Sequence, residues 1–451
     1  MKTTTALPTH PHRRLDDRLL LAGDHGYDEA RTVWNSMIDR RPAAVFPCAG
    51  VADVRAAVRL ARKADLEIGV RCGGHNIAGL SVPDGGLMID LRPMGRVTID
   101  SDRRRARVQG GALLGALDRA AQAHGLATTA GNISHTGVGG LALGGGMGWL
   151  ARRHGLTCDN VVSYTLVTAE GDVLRVSAEE RPDLFWGLRG GGGNFGVVTE
   201  FEFRLHPVTS ETLSVQLSFA ADEAAEVIAG WRELALRAPH EATFTADLSG
   251  GRVDLGYVWV GGLRHATRAL SELRTFGRPT AERVERLSYL ALQRRDDSAQ
   301  GHAVRRYWKG HYLTDLPDAA IAALLTGRDE SSPDVSLQAY GGAIAEVPDT
   351  DSAFSHRGAQ FEYVAAMGWI DAEQDEARRA ATRRHAARIE PFACGAYVNA
   401  LSDEGASGVR RAYSATKLAR LTSLKDAYDP GNVFHLNHNI APSGQSTSTT
   451  S

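Results

Sequence analysis

Apolar positions along this chain recur with two periods, and segments of the two kinds alternate. Ala44–Pro47 reads as a short strand. In the segment that follows, Val51, Val54, Ala57, Val58 and Ala61 share one helical face while Asp53, Arg55 and Arg59 fall off it, which predicts a helix over Val51–Ala64. Leu66–Arg71 then predicts a buried strand that Gly73 and Gly74 end at a turn. Strands are expected at Leu87–Leu91, Arg96–Ile99 and Arg105–Val108, followed by an amphipathic helix over Leu113–His124 closed by Gly125. Up to about Pro207 the chain therefore builds an α/β or α+β layer.

Beyond Thr212 the glycines thin out and two-residue alternation takes over. Leu213–Phe219, Val253–Val260 and Val335–Ile344 predict strands, and Ala221–Ala238 and His265–Phe276 predict helices. Such a set folds as a separate antiparallel sheet with helices on one side. The tail 443–451, rich in Ser and Thr, has nothing apolar to bury and is expected to be disordered.

Composition narrows the function. The chain has 451 residues, long enough for two or three folding units. With 51 basic and 53 acidic side chains its formal charge is −2, which supplies no field for nucleic acid or an anionic membrane. The N-terminus lacks a leader-like apolar run and no window has the length of a membrane span, so a cytoplasmic monomer or homodimer is expected. Cys48, Cys72, Cys158 and Cys394 have neither C-x-x-C nor zinc spacing. No metal site is expected.

The 49 glycines are unevenly spread, and 14 of them fall in three clusters, at 71–75, 137–148 and 190–196. Successive glycines let backbone N–H groups converge on an anion such as a pyrophosphate. A nicotinamide-binding fold is the rival reading, because Gly191, Gly193 and Gly196 match G-x-G-x-x-G. That fingerprint must follow a strand and open a helix. Here Leu184–Leu188 before it is helical and Val197–Phe203 after it is β, so the order is inverted.

Taken together, Arg71-Cys-Gly-Gly-His75-Asn76, Ser134-His-Thr-Gly-Val-Gly-Gly140, Gly155-Leu-Thr-Cys158-Asp-Asn160 and Asp183–Gly190 resemble the berberine-bridge-enzyme-like FAD-linked oxidases. Tyr397-Val-Asn399, Arg411-Ala-Tyr413, Tyr428-Asp-Pro430 and Asn437-His-Asn439-Ile440 resemble that family's closing segment. The likeness runs from about residue 20 to 440. It implies an α+β, two-domain PCMH-type FAD-binding fold with an inserted substrate domain of antiparallel sheet covered by helices. The FAD-binding domain would comprise 1–208 and the returning segment 408–442, with the substrate domain at 209–407.

The resemblance further implies a bicovalent FAD, attached through His75 at the 8α-methyl carbon and Cys158 at C6. Arg71, Gly73, Gly74, Asn76, Ser134, Gly139 and Gly140 would line the pyrophosphate, with Cys72, Gly144, Val198, Asn437 and Asn439 also in the cofactor site. Tyr397 would face the flavin as base, with Asn399 positioning the ring edge or that tyrosine. A phenol of pKa about 10 is a weak base at neutral pH, so a neighbour must lower it or take its proton. Tyr340, Gln338, Glu362, His311 and Lys309 are the candidates from the inserted domain, and Ala400, where the family often has an aromatic residue, would enlarge the pocket or remove a hydroxyl contact. His135 would face the ring or brace its loop.

The implied activity is hydride removal from an alcohol, hemiacetal or activated C–H of a bulky secondary metabolite or sugar, antibiotic biosynthesis included, with dioxygen as acceptor and hydrogen peroxide as product. A flavin dehydrogenase or oxidative cyclase with little oxygen reactivity, or a non-catalytic flavin-binding protein, is the alternative.

Overall fold

The structure is a computed structural model that describes residues 18–208, 211–298 and 301–445. The N-terminal segment and 446–451 lie outside it, and with them most of the expected tail. Of that tail, Ser443 and Gln445 are tied down, by bonds to Asp426 and Asn432.

The first half carries two sheets. β1 (Ala44–Pro47), β2 (Ile68–Arg71) and β3 (Leu87–Asp90) form a parallel sheet in the order β1-β3-β2, covered by the helix Val51–Lys63. Its buried Val54, Ala57, Val58 and Ala61 are the face given by the sequence period. β4 (Val97–Asp100), β5 (Arg105–Gln109), β7 (Val161–Val167), β8 (Val173–Ser177) and β9 (Val197–Arg204) form an antiparallel sheet in the order β4-β5-β9-β7-β8. The two-residue strands β6 (Leu126–Ala127) and β10 (His206–Pro207) pair separately. Phe201, Phe203 and Tyr164 on the antiparallel sheet share a core with Leu114 and Leu117 of the helix Leu114–Gln122, and with Val409, Leu421 and Leu424 near the C-terminus. The last helices, Gly405–Ala412 and Ala415–Tyr428, thus pack on the first half of the chain.

Between these parts lies an eight-stranded antiparallel sheet. Its strands are β11 (Thr212–Ala220), β12 (Ala242–Ser249), β13 (Arg252–Trp259), β14 (Ala281–Leu287), β15 (Arg305–Leu313), β16 (Asp334–Ala339), β17 (Phe361–Trp369) and β18 (Ala393–Gly395). Their order is β14-β11-β13-β12-β16-β17-β15-β18. The helices Ala224–Leu236, Asp318–Leu325 and Asp375–Ile389 bury Trp231, Ile321 and Ile389 against Leu217, Phe244, Leu255 and Tyr363 on one face. Side chains alternate across a strand, so the other face is left to build a site.

Three expected elements are corrected. The strand predicted over Val335–Ile344 stops at Ala339, because Gly341 and Gly342 take φ of +80° and +55°, and a short helix, Ala343–Glu346, follows. The helix expected over His265–Phe276 is confined to Arg268–Leu273, and that over Ala221–Ala238 begins with a 3₁₀ turn. Among the described residues no helix is long and apolar enough to cross a membrane.

Candidate active site

The glycine clusters, far apart in sequence, meet in space. A Cβ on Gly73 would fall 2.3 Å from the Gly137 nitrogen, and one on Gly137 would fall 2.4 Å from Cys72 Sγ. Only glycine permits this approach. The N–H groups of Gly190 and Gly192 both donate to the Leu143 carbonyl at 3.0 Å. Asn194 Oδ1 accepts from Ile440 N at 2.9 Å, and Asn437 Nδ2 donates to Gly193 O at 3.4 Å. The loops at 71–75 and 190–196, the helix Val138–Leu143 and the closing segment thus share one backbone surface.

His75 and Cys158 mark the two ends of that short helix. His75 Nδ1 lies 3.3 Å from the Thr136 hydroxyl, before its start, and the Cys158 N–H donates to Gly145 O at 2.8 Å, past its end. Six helical residues span about 9 Å. Trp34 stacks on the His75 ring, centroids 4.9 Å apart. Burial, helped by the neighbouring His135, His302 and Arg306, brings the His75 pKa down to about 3, so the imidazole is neutral. Burial and the Asp159 charge push the Cys158 thiol well up, so it is a thiol in this environment. Asp159 caps the Leu156 N–H at 2.9 Å and pairs with the buried Arg357, which fixes the turn carrying Cys158.

Tyr397 and Asn399 approach the same turn from the other side. Gly146 N donates to Tyr397 Oη at 2.8 Å, and Asn399 Nδ2 donates to it at 2.9 Å and to Leu141 O at 3.2 Å. A Cβ on Gly144 would fall 2.1 Å from Asn399 Oδ1. Burial and the Glu362 charge raise the Tyr397 pKa, and the two N–H donors only partly oppose them. Tyr397 is not a base by itself.

The free face of the large sheet supplies its neighbours. Tyr312, Glu362 and Gln338 stand in one row across β15, β17 and β16. Tyr340 Oη donates to Glu362 Oε2 at 2.8 Å and lies 3.3 Å from Tyr312 Oη, whose ring centroid is 6.2 Å from that of Tyr397. Burial raises the Glu362 pKa to about 7 against the pull of Tyr340.

Other candidates point elsewhere. Lys309 pairs with Asp403 and Glu404, and His311 bonds the Ala386 carbonyl and Arg411, because both occupy the helix-covered side of β15. Arg71 is buried and donates to the Ala30 carbonyl, while Asn76 Oδ1 closes a turn by accepting from Ala78 N and Leu80 N. Both donors of Ser134 are directed at the Asp297 carboxylate. Gly139 packs on Gly110 O and Val198 lies in the core of the antiparallel sheet. Ala400 is buried, with its Cβ 3.2 Å from where a Cβ on Gly310 would lie, so the small side chain is matched by a small partner and opens no pocket. Tyr413, bonded to Gly190 O, and Asp429, paired with Lys425, brace the closing segment. Sequence reasoning passed over Trp34, Tyr312, Phe354, Arg357 and Asp297. None of these left a local signal; only Asp159, the ion-pair partner of Arg357, lies inside a motif, that of the cysteine.

The surface fits a flavin dinucleotide. Asn132 Oδ1, Asn437 Oδ1, His438 Nε2 and Asn439 Oδ1 are buried without a hydrogen-bond partner among the described residues, at about 1–3 kcal/mol each. A Cβ on Gly140 or Gly193 would meet no atom within 4 Å. Phosphates, hydroxyls and ring amides offer both donors and acceptors to such a surface.

Comparison with known proteins agrees. Residues 42–177 match an FAD binding domain, and residues 396–441 match the berberine and berberine-like family. The (R)-6-hydroxynicotine oxidase of Paenarthrobacter nicotinovorans is 32% identical over 456 aligned positions, covering 95% of this chain and 98% of that protein. The chitooligosaccharide oxidase of Gibberella zeae is 27% identical, covering 93% and 91%. The crystal structure of 6-hydroxy-D-nicotine oxidase from Arthrobacter nicotinovorans superposes with a TM-score of 0.84 at 29% identity, covering 94% of this chain and 97% of that one. The chain belongs to the berberine-bridge-enzyme-like family of FAD-linked oxidoreductases.

Proposed function

We propose that this FAD-dependent oxidoreductase is an oxidase. It takes a hydride from an alcohol, hemiacetal or activated C–H of a bulky secondary metabolite or sugar and delivers the electrons to dioxygen, with its FAD tethered through His75 and Cys158. The bound FAD supplies the hydride acceptor. The protein supplies proton handling and orientation. The observation that carries this reading is a half-buried tyrosine, with two N–H donors on its oxygen, that feels the charge of a carboxyl whose pKa lies near 7 and is joined to it through Tyr312 and Tyr340.

Tyr397 Oη already accepts from Gly146 and Asn399, so it meets the substrate heteroatom in a fixed position. Glu362, tuned close to neutral, receives the proton that leaves as the hydride departs. Tyr340 holds the carboxylate by its hydroxyl, and Phe354 and Tyr312 keep water from the site. The relatives' names, an oxidase of a hydroxynicotine and one of a chitooligosaccharide, support a ring-bearing amine or sugar as the substrate class.

Anaerobic reduction with a panel of such substrates, followed by mixing with air, tests the reading. Bleaching of the flavin, then rapid return of colour with one peroxide per substrate, is expected. Bleaching with slow return makes the protein a dehydrogenase, and no bleaching across the panel removes the catalytic assignment.

A further inference from the structure

The His75 ring is held by a chain of contacts that reaches into the segment between β14 and β15. Its Nε2 lies 2.7 Å from His135 Nδ1, and the other nitrogen of His135, Nε2, lies 3.4 Å from the main-chain carbonyl of Asp297. A carbonyl oxygen only accepts. This contact places the hydrogen of neutral His135 on Nε2 and leaves its Nδ1 as a lone pair. The short bond between the rings is then donated by His75 Nε2–H, and the lone pair of His75 sits on Nδ1, where the Thr136 hydroxyl makes a long contact of 3.3 Å.

The arrangement is pinned at both ends. The Asp297 carboxylate accepts from Ser134 N at 2.8 Å and from Ser134 Oγ at 2.5 Å, so the carbonyl and the loop carrying His135 move together. Trp34, inclined by only 14° to the His75 ring, restricts rotation of the imidazole. Ser134 is thereby engaged otherwise than in lining the pyrophosphate.

We infer that His135, oriented by the Asp297 carbonyl, is a positioning residue for flavin attachment: it presents His75 Nδ1 as the nucleophile and receives the Nε2 hydrogen of His75 as a proton. The inference rests on the proposed attachment at His75. The bond that forms joins His75 Nδ1 to the 8α carbon. One hydrogen leaves His75 Nε2 and one leaves the 8α-methyl group, and dioxygen takes up the two protons and two electrons as hydrogen peroxide. His135 releases its proton to solvent and returns to its starting tautomer.

The test uses the full chain with Cys158→Ala, so that acid-stable flavin reports on His75 alone. Protein from riboflavin-limited cells is mixed with FAD in air, and attachment is followed by intact mass and by colour surviving acid precipitation. His135→Leu is expected to attach flavin about 10²-fold more slowly, in line with loss of a proton acceptor. His135→Asp, whose carboxylate oxygen takes the place of Nδ1 and can accept the proton, is expected to recover most of the rate, a rescue that a packing role does not give. Affinity for FAD before attachment, read by flavin fluorescence, is expected to change less than twofold, and the flavin peptide from untreated enzyme is expected to be the Nδ1 isomer. Equal attachment rates in His135→Leu and its parent, or an Nε2-linked peptide, overturn the inference while leaving the His75 bond. A parent protein that keeps no flavin through acid overturns the attachment itself.

Discussion

Replacing Glu362 with Gln removes one charge and keeps the shape of the side chain. The residue is 9% exposed, and burial raises its pKa from 4.5 to about 7. Each tenfold change in proton affinity is worth about 1.4 kcal/mol, so ionising this carboxyl costs the folded state about 3 kcal/mol more than it costs the unfolded chain. The sign follows from the direction of the shift. Below pH 4.5 the group is protonated in both states and there is no penalty; as pH rises from 4.5 through about 7 the stability is lost. Glu362→Gln is therefore expected to equal the parent in denaturant unfolding at pH 4 and to exceed it by about 3 kcal/mol at pH 8. In parallel, kcat/KM of the parent should climb with pH to a plateau beyond about 7, whereas the variant should lose about 10²–10⁴ in turnover together with that limb. Equal stabilities at pH 8, or a variant that keeps both its turnover and its acid limb, would refute the assignment of this carboxyl as the proton acceptor.

Tyr397→Phe should retain the yellow colour and lose about 10²–10⁴ in the rate of flavin bleaching by stopped flow, since it removes the oxygen shared by Gly146 and Asn399. His75→Ala and Cys158→Ala should each leave one acid-stable flavin bond, visible as fluorescence on a denaturing gel, and the double variant should release its flavin. Gly144→Ala should displace Asn399, because the new methyl would fall 2.1 Å from Oδ1, and should lower kcat without unfolding the chain by circular dichroism. Lys425→Met leaves Asp429 buried without its cation, and urea unfolding should show a loss of about 3–5 kcal/mol.

What the sequence disclosed was local. The face of Val51–Lys63 and the inverted order around Gly191 to Gly196 are settled by neighbours within a few residues and are found as expected, while the helix before Gly125 ends at Gln122, two residues short of the expected His124. Motif spacing also brought His75, Cys158 and Tyr397 into one reading. The roles of Ser134, Asn76 and Lys309 depended instead on which way a side chain turns, and that is decided by Asp297, by the turn at Ala78 and by Asp403. Choosing Glu362 over His311 required the register of β15 against β17, where one step along a strand exchanges the site face for the helix face. No spacing in a single chain encodes that register.

The loop that ends at Asn194 has its other half 244 to 246 residues downstream, at His438 and Ile440. A ribosome delivers those two pieces at opposite ends of a long interval, with the whole eight-stranded sheet emerging between them. With the proposed cofactor surface divided in this way, capture of FAD is expected to wait until the final turn of polypeptide has docked. Pigment should thus be a release criterion: any clipped chain lacking the stretch after Pro430 ought to come off the column pale, even where its glycine loops are intact.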